Sequence, residues 1–183
     1  MTPSIEIKFR NVPREILIEF ENKIDKSISL EVHEDTNDHL DPPAEIVIYL
    51  NEPLTEIMVS STDRSTNTFW DGLNSLWKKI KRENNIELNF GFKPDTTIEF
   101  DLNGNIDPNQ IDGITEDILR YLKNTDQQKK DFANPDFKQQ QDDKPRLRVR
   151  YNPITDQLEL VNFTAVRKQI EEAFRRLAGR LKG

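Results

Sequence analysis

Residues 45–50 read EIVIYL, a run that is apolar on both faces of an extended chain. Such a run predicts a central strand of a sheet. Further segments with the two-residue alternation of half-buried strands lie at residues 4–10 and 27–32 before it, and at 86–92 and 97–102 after it. The turn chemistry between the last two segments predicts a hairpin. The chain is therefore expected to build a sheet around residues 45–50.

Apolar residues at three- and four-residue steps predict helices between these strands. One helix follows the first strand, and a second spans residues 66–82. A third opens at Asp107, where Pro108 suits the first turn and Gln110 completes a capping box. Residues 53–61 fit either a short helix or a further strand. The sequence thus predicts helices alternating with pairs of strands.

The predicted element order is β-α-β-β-α-β followed by a strand and a helix. This order predicts the α+β class, and its first six elements fit a ferredoxin-like βαββαβ sandwich with helices on one face of the sheet. A C-terminal unit of two strands and a helix follows after a polar stretch. The expected fold is a ferredoxin-like body extended by a strand and a helix, with a ββα unit at its end.

Composition divides the chain into three parts. Residues 1–123 form the predicted body, residues 124–144 are polar and without periodicity, and residues 145–183 hold a hairpin and an amphipathic helix. Polar stretches without periodicity are typical of flexible linkers. A ββα unit of about 40 residues rarely folds alone. We therefore expect the last part either to pack on the body or to have its apolar stripe covered by another chain.

Charge is distributed unevenly along the chain. Residues 144–183 contain ten basic and four acidic residues, which gives this part a net charge of +6. Since the whole chain has a net charge of −7, residues 1–143 have a net charge of −13. An acidic body with a basic C-terminal part bears on the choice of partners rather than on the fold.

Several classes of function find no support in the sequence. The 183 residues include no Cys, which excludes disulfides, thiolate metal sites and cysteine nucleophiles. No run approaches the roughly 20 apolar residues of a membrane span, and the N-terminus lacks the pattern of a signal peptide. Phosphate loops, dinucleotide fingerprints and nucleophile elbows are likewise missing. We expect a cytoplasmic protein without a cofactor or a membrane partner, and we identify no catalytic residue.

The first candidate site is the apolar stripe of the C-terminal helix. It comprises Val166, Ile170, Phe174, Leu177 and Leu181. This α6 stripe, as it is called below, predicts a partner-binding surface for another protein or for a second copy of the chain, because the spacing suits paired helices. Packing of the stripe against the body is the alternative. The favoured function is a non-enzymatic protein-interaction or adaptor module.

One short stretch resembles a known class of domains. Residues 97–102, TIEFDL, lead through Ile106, Asp107 and Pro108 into the helix that follows. This stretch resembles the last strand and helix of small bacterial adaptor domains that accompany effector enzymes. The resemblance concerns a strand, a cap and a helix, so no functional residue is transferred from it.

The second candidate site is basic. Arg146, Arg148 and Arg150 alternate along a predicted strand, so their guanidinium groups lie on one face about 6–7 Å apart. Together with Arg175 and Arg176 they could contact a phosphate backbone, which makes a nucleic-acid-binding regulatory protein the alternative function. An ordinary solvent-exposed face, or a face docked on the acidic body, explains the same arginines.

Two weaker signals have simpler explanations. His33 and His39 lie in an acidic loop and suggest a metal-dependent enzyme as a second alternative, but their spacing matches no defined metal site. A solvated loop explains them, and no metal ligand is assigned. Trp70 and Trp77 are two turns apart on the predicted helix 66–82, where core packing is the expected role.

Overall fold

The computed structural model describes residues 2–34, 45–60, 64–79, 85–92, 96–102, 106–141 and 144–180. The strands are Ser4–Arg10 (β1), Ser29–Glu34 (β2), Glu45–Leu50 (β3), Asn85–Phe92 (β4), Thr96–Asp101 (β5), Lys138–Gln141 (β6), Lys144–Asn152 (β7) and Gln157–Leu160 (β8). The helices are Arg14–Lys23 (α1), Glu52–Ser60 (α2), Arg64–Lys79 (α3), Ile111–Lys123 (α4), Thr125–Ala133 (α5) and Phe163–Arg180 (α6).

The described strands form one mixed sheet in the order β2-β1-β3-β4-β5-β7-β6, and β8 also pairs with β7. Parallel pairs (β1 with β2, β3 with β4, β5 with β7) alternate with antiparallel pairs (β1 with β3, β4 with β5). The α+β class is therefore confirmed, as are the position of β3 between two strands and the β4–β5 hairpin. The ferredoxin-like arrangement is not confirmed, because β1 and β2 are direct neighbours whereas a split βαβ unit has a strand between them.

Alternation along the strands separates the sheet into two faces. On one face, side chains such as Ile7, Ile48, Leu88 and Phe100 are fully buried in a core shared with the helices. The opposite face, called the polar face below, carries Glu6, Lys8, Val47, Tyr49, Glu87, Asn89, Thr97, Glu99, Asp101, Arg146, Arg148 and Arg150. The three candidate arginines therefore share one surface with acidic and polar residues of the neighbouring strands.

The structure tests the sequence features that were predicted for the helices. Asp107 accepts a hydrogen bond from the N–H of Asn109 at 2.9 Å, and Gln110 Oε1 accepts from the N–H of Asp107 at 3.1 Å, which confirms the capping box. The capped segment is a 3₁₀ turn that leads into α4. The ambiguous residues 53–61 fall largely within helix α2. Trp70 and Trp77 are 5% and 7% exposed, so their core role is confirmed.

The stretch 124–144 differs from the expected irregular linker, since it contains helix α5 and strand β6. Gln128 is buried, and its Nε2 donates to the carbonyls of Tyr121 at 2.9 Å and Leu122 at 2.7 Å. Asp131 is also buried and accepts from the Tyr121 hydroxyl at 2.7 Å. The polar side chains that suggested solvation therefore satisfy backbone and hydroxyl groups at the end of α4.

The hairpin of the C-terminal part belongs to the same sheet as the body. Strand β7 lies parallel to β5, and Leu147, Val149 and Tyr151 on β7 are 0–2% exposed. The pairing of β7 with β8 confirms the predicted hairpin. The division of the chain at residues 123 and 144 into independent domains stays a prediction.

Helix α6 follows the hairpin and has a different environment. All of its described side chains from Thr164 to Arg176 are exposed. Within the described part of the chain, no helix combines the length and apolar character needed to cross a membrane.

Candidate functional site

Helix α6 is attached to the body at its first turn. Asn162 accepts a hydrogen bond from the N–H of Ala165 at 2.8 Å and so caps the helix. The N–H of Phe163 donates to the carbonyl of Asp136 at 2.8 Å, and the N–H of Val161 donates to that of Arg148 at 2.9 Å. These contacts fix the start of α6 and the direction in which it leaves the sheet.

The described members of the α6 stripe lie at the surface. Val166, Ile170 and Phe174 are 40%, 51% and 67% exposed, and exposure rises with distance from the anchored first turn. Leu181 and the side chain of Leu177 lie outside the described residues. Most of the described apolar residues outside α6 are by contrast buried in the core, and the exposed ones, Ile18, Tyr49 and Ile154, do not form a row on one helix. A row of exposed large apolar side chains on a regular helix is typical of an interaction surface.

The arginine row has partners within the sheet. Arg146 Nη1 donates to Glu99 Oε2 at 2.8 Å, Arg148 pairs with the other oxygen of the same carboxylate, and Arg150 Nε lies 3.2 Å from Asp101 Oδ2. The parallel register of β5 and β7 causes this, because it sets Glu99 opposite Arg148 and Asp101 opposite Arg150. The row is thus docked on acidic residues of the body.

Glu99 lies at the centre of this cluster and is fully buried. Burial raises the pKa of Glu99 above its usual value and Glu87 adds to the rise, whereas Arg148 and Arg146 oppose it. Two guanidinium groups therefore have a single carboxylate to share. Three guanidinium groups thus face two carboxylates, so most of the charge of the arginine row is neutralised within the sheet.

Arg175 and Arg176 lie on α6, away from this cluster in sequence, and both are exposed. Arg176 Nη2 is 3.8 Å from Glu172 Oε2, an exposed pair with little energetic weight. The structure therefore brings Arg146, Arg148 and Arg150 together in one group of ion pairs. Arg176 pairs instead with Glu172 on its own helix.

The structure describes one of the two histidines of the acidic loop, His33. His33 lies near the end of β2, exposed, with Nε2 3.8 Å from Glu31 Oε2. His39 lies outside the described residues. Among the described residues, no group of three or more His, Asp or Glu side chains is arranged to hold a metal ion.

Sequence reasoning missed Glu99 and Asp101 as partners of the arginines. The alternation of residues 97–102 does place both acids on the side of the strand opposite to its apolar residues. The missing information was that β5 and β7 are neighbours, which no local pattern reveals.

Comparison of the chain with protein families, curated proteins and solved structures found no significant match. The site is therefore interpreted from its geometry alone.

Proposed function

We propose that this chain is a non-enzymatic protein-interaction module and that the α6 stripe is its partner-binding surface. The observation that carries the proposal is the exposure of Val166, Ile170 and Phe174 on a capped helix that is anchored to the body at its first turn, with its described side chains from Thr164 to Arg176 exposed. Burial of apolar surface is the main driving force of protein association. A helix laid by its apolar face on a partner uses this force directly.

A second copy of the chain is the partner that we favour. The polar residues beside the stripe are two acids followed one turn later by two bases: Glu171, Glu172, Arg175 and Arg176. In an antiparallel pair, the acids of one helix can lie beside the bases of the other, and Ile170 of one then faces Leu177 of the other. In this antiparallel arrangement, the opposite charges and the apolar side chains of the two helices meet at the same time.

The nucleic-acid alternative has weaker support. Its three strand arginines pair with Glu99 and Asp101, and the exposed helix arginines have acids as neighbours in sequence. The metal-dependent alternative has one described histidine and no cluster of ligands among the described residues. Neither alternative has an observation that favours it over the α6 stripe.

Sedimentation velocity of the full chain tests the proposal. We expect concentration-dependent dimerisation of the wild-type protein. Phe174→Asp puts a charge into the stripe and should weaken dimerisation at least about tenfold, as for a central aromatic residue of an interface. The matched control is Ala165→Asp, which adds the same residue to the opposite, exposed face of α6.

The control should dimerise like the wild type, and both variants should keep the circular dichroism of the folded chain. A wild-type protein that stays monomeric at all concentrations would contradict the proposed partner. Equal weakening by the two substitutions would contradict the assignment of the stripe.

A further inference from the structure

The polar face contains a cavity that is not lined by any described residue of the α6 stripe. Its volume is about 300 Å³, and side chains from β1, β3, β4, β5 and β7 line it. It is at the small end of the range for ligand sites, so it fits one small molecule or one side chain. The residues that matter for its chemistry are Glu6, Lys8, Tyr49, Glu87, Asn89 and Arg146.

The two cations that line the cavity already have partners. Lys8 Nζ lies 3.0 Å from Glu6 Oε1, and Arg146 Nη1 lies 2.8 Å from Glu99 Oε2. An anionic ligand would have to compete with these carboxylates for either cation. The cavity is therefore a poor site for a phosphate or a carboxylate.

Glu87 differs from the other acid of the cavity. No Lys, Arg or His among the described residues forms an ion pair with it, and its Oε1 accepts a hydrogen bond from Asn89 Nδ2 at 2.7 Å. A carboxylate accepts hydrogen bonds and does not donate them, so this contact sets the orientation of the Asn89 amide. Glu87 is left with a negative charge and unused acceptor sites.

Asn89 is a buried polar residue beside Glu87. Its side chain is almost fully buried, yet its Oδ1 has no hydrogen-bond partner. A buried acceptor without a partner costs about 1–3 kcal/mol, so such groups usually mark a missing donor. This oxygen has almost no accessible surface of its own, so Asn89 acts on the cavity through the hydrogen bond that it donates to Glu87.

Tyr49 contributes an aromatic ring at the edge of the same cavity. A Cβ at Gly91 would lie 2.9 Å from the Tyr49 hydroxyl, so the missing side chain at Gly91 leaves room for the tyrosine on the polar face. Aromatic faces attract ammonium and guanidinium groups.

We infer that this cavity binds a cationic N–H donor, an ammonium or a guanidinium group. Glu87, oriented by its hydrogen bond from Asn89, would supply the counter-ion, and Tyr49 would supply an aromatic contact. The inference does not depend on α6, because none of these residues belongs to that helix. Either a free small cation or a Lys or Arg side chain of a partner protein could supply the group.

Titration of the full-length protein with methylguanidinium, followed by NMR of the backbone and side-chain amides, tests the inference. We expect saturable shifts confined to residues around the cavity, including the Asn89 side-chain amide. Glu87→Gln keeps the shape and removes the charge, and it should weaken binding about tenfold, as expected for a charge-assisted contact. The matched control is Glu116→Gln, at an exposed position on α4, which should bind like the wild type.

Tyr49→Leu serves as an independent variant that leaves all charges in place, and it should weaken binding as well. Shifts that do not saturate, or equal binding by the wild type and Glu87→Gln, would overturn the inference. A blocked Gly-Arg-Gly peptide distinguishes the two sources of the cation. Tighter binding of the peptide assigns the cavity to an arginine side chain of a partner, and tighter binding of methylguanidinium assigns it to a free small cation.

Discussion

Glu99 shows how much a single residue organises the polar face. It is fully buried, and its two oxygens pair with Arg146 and Arg148 from the neighbouring strand. Removing one member of a buried ion group leaves the others desolvated without compensation. Glu99 is therefore a structural residue, and its contribution should appear in stability rather than in binding.

We expect Glu99→Gln to lower the free energy of unfolding by about 2–3 kcal/mol, less than for a fully buried pair because the two arginines are a quarter to a third exposed. Urea denaturation measures this change. Glu116→Gln on α4 is the control and should change stability little. Equal stability of the two variants would show that Glu99 and its arginines do not act as an ion group.

Tyr151 is expected to make the free energy of unfolding fall as the pH rises in the alkaline range. Burial, with a further contribution from the Asp156 carboxylate that accepts its hydroxyl hydrogen bond at 2.6 Å, raises the pKa of Tyr151 from 10.0 to about 12. The folded state then holds a proton that the unfolded state loses between these values. This contribution to stability is complete below about pH 10 and is lost as the pH rises through about 12.

Urea denaturation at a series of alkaline pH values should show this loss, and Tyr151→Phe should reduce the slope. Asp156→Asn should also reduce the slope, because the hydrogen bond and the charge of Asp156 both contribute to the raised pKa of Tyr151. An unchanged slope in Tyr151→Phe would show that the loss comes from other groups.

At the scale of elements, the C-terminal part combines two different roles. Strand β7 contributes buried side chains and pairs with β5, whereas α6 is anchored at its first turn and its described side chains from Thr164 to Arg176 are exposed. The composition of the chain assigns β7 and α6 to the same C-terminal part, but the contributions of these two elements to the free energy of unfolding should differ strongly.

Two truncations separate these roles. A chain that ends at residue 162 should keep its free energy of unfolding within about 0.5 kcal/mol, as expected for changes at the surface. A chain that ends at residue 143 loses Leu147, Val149 and Tyr151 from the core, each worth about 2–5 kcal/mol, and should not fold. Circular dichroism and urea denaturation measure both, and a stable fold for the shorter chain would contradict the role of β7.

Local sequence patterns predicted the individual strands and helices better than they predicted which strands lie next to each other in the sheet. Alternation, helical periodicity and the capping box at Asp107 predicted strands, helices and the hairpins, because each depends on residues close in sequence. The pairing of β5 with β7 joins segments about 50 residues apart and left no local signal. Helix α5 was missed since its stability depends on buried hydrogen bonds of Gln128 and Asp131, residues that composition alone assigns to solvent.

The candidate site shows the same division. The α6 stripe was predicted from its spacing, and its exposure could be seen only in the structure. Arg146, Arg148 and Arg150 were predicted to share a face, but their pairing with Glu99 and Asp101 required the strand order. The cavity beside Glu87 and Asn89 involves five strands, so no sequence pattern could have revealed it.

The whole molecule consists of a folded α+β body and an exposed amphipathic helix. The body buries most of its described apolar side chains, and α6 presents Val166, Ile170 and Phe174 at its surface. The central claim is that a second copy of the chain covers this surface. Since the chain contains no Cys, a single introduced thiol can report on it without interference.

The most direct test is the rate at which maleimide labels Ile170→Cys and Lys168→Cys, each in the otherwise unchanged full chain, as protein concentration increases. Position 170 lies in the stripe, and position 168 lies on the opposite face of α6. We expect labelling of Ile170→Cys to slow with concentration as the helices pair, and that of Lys168→Cys to remain constant. Equal labelling of the two thiols at every concentration would contradict the claim that a second copy covers the stripe.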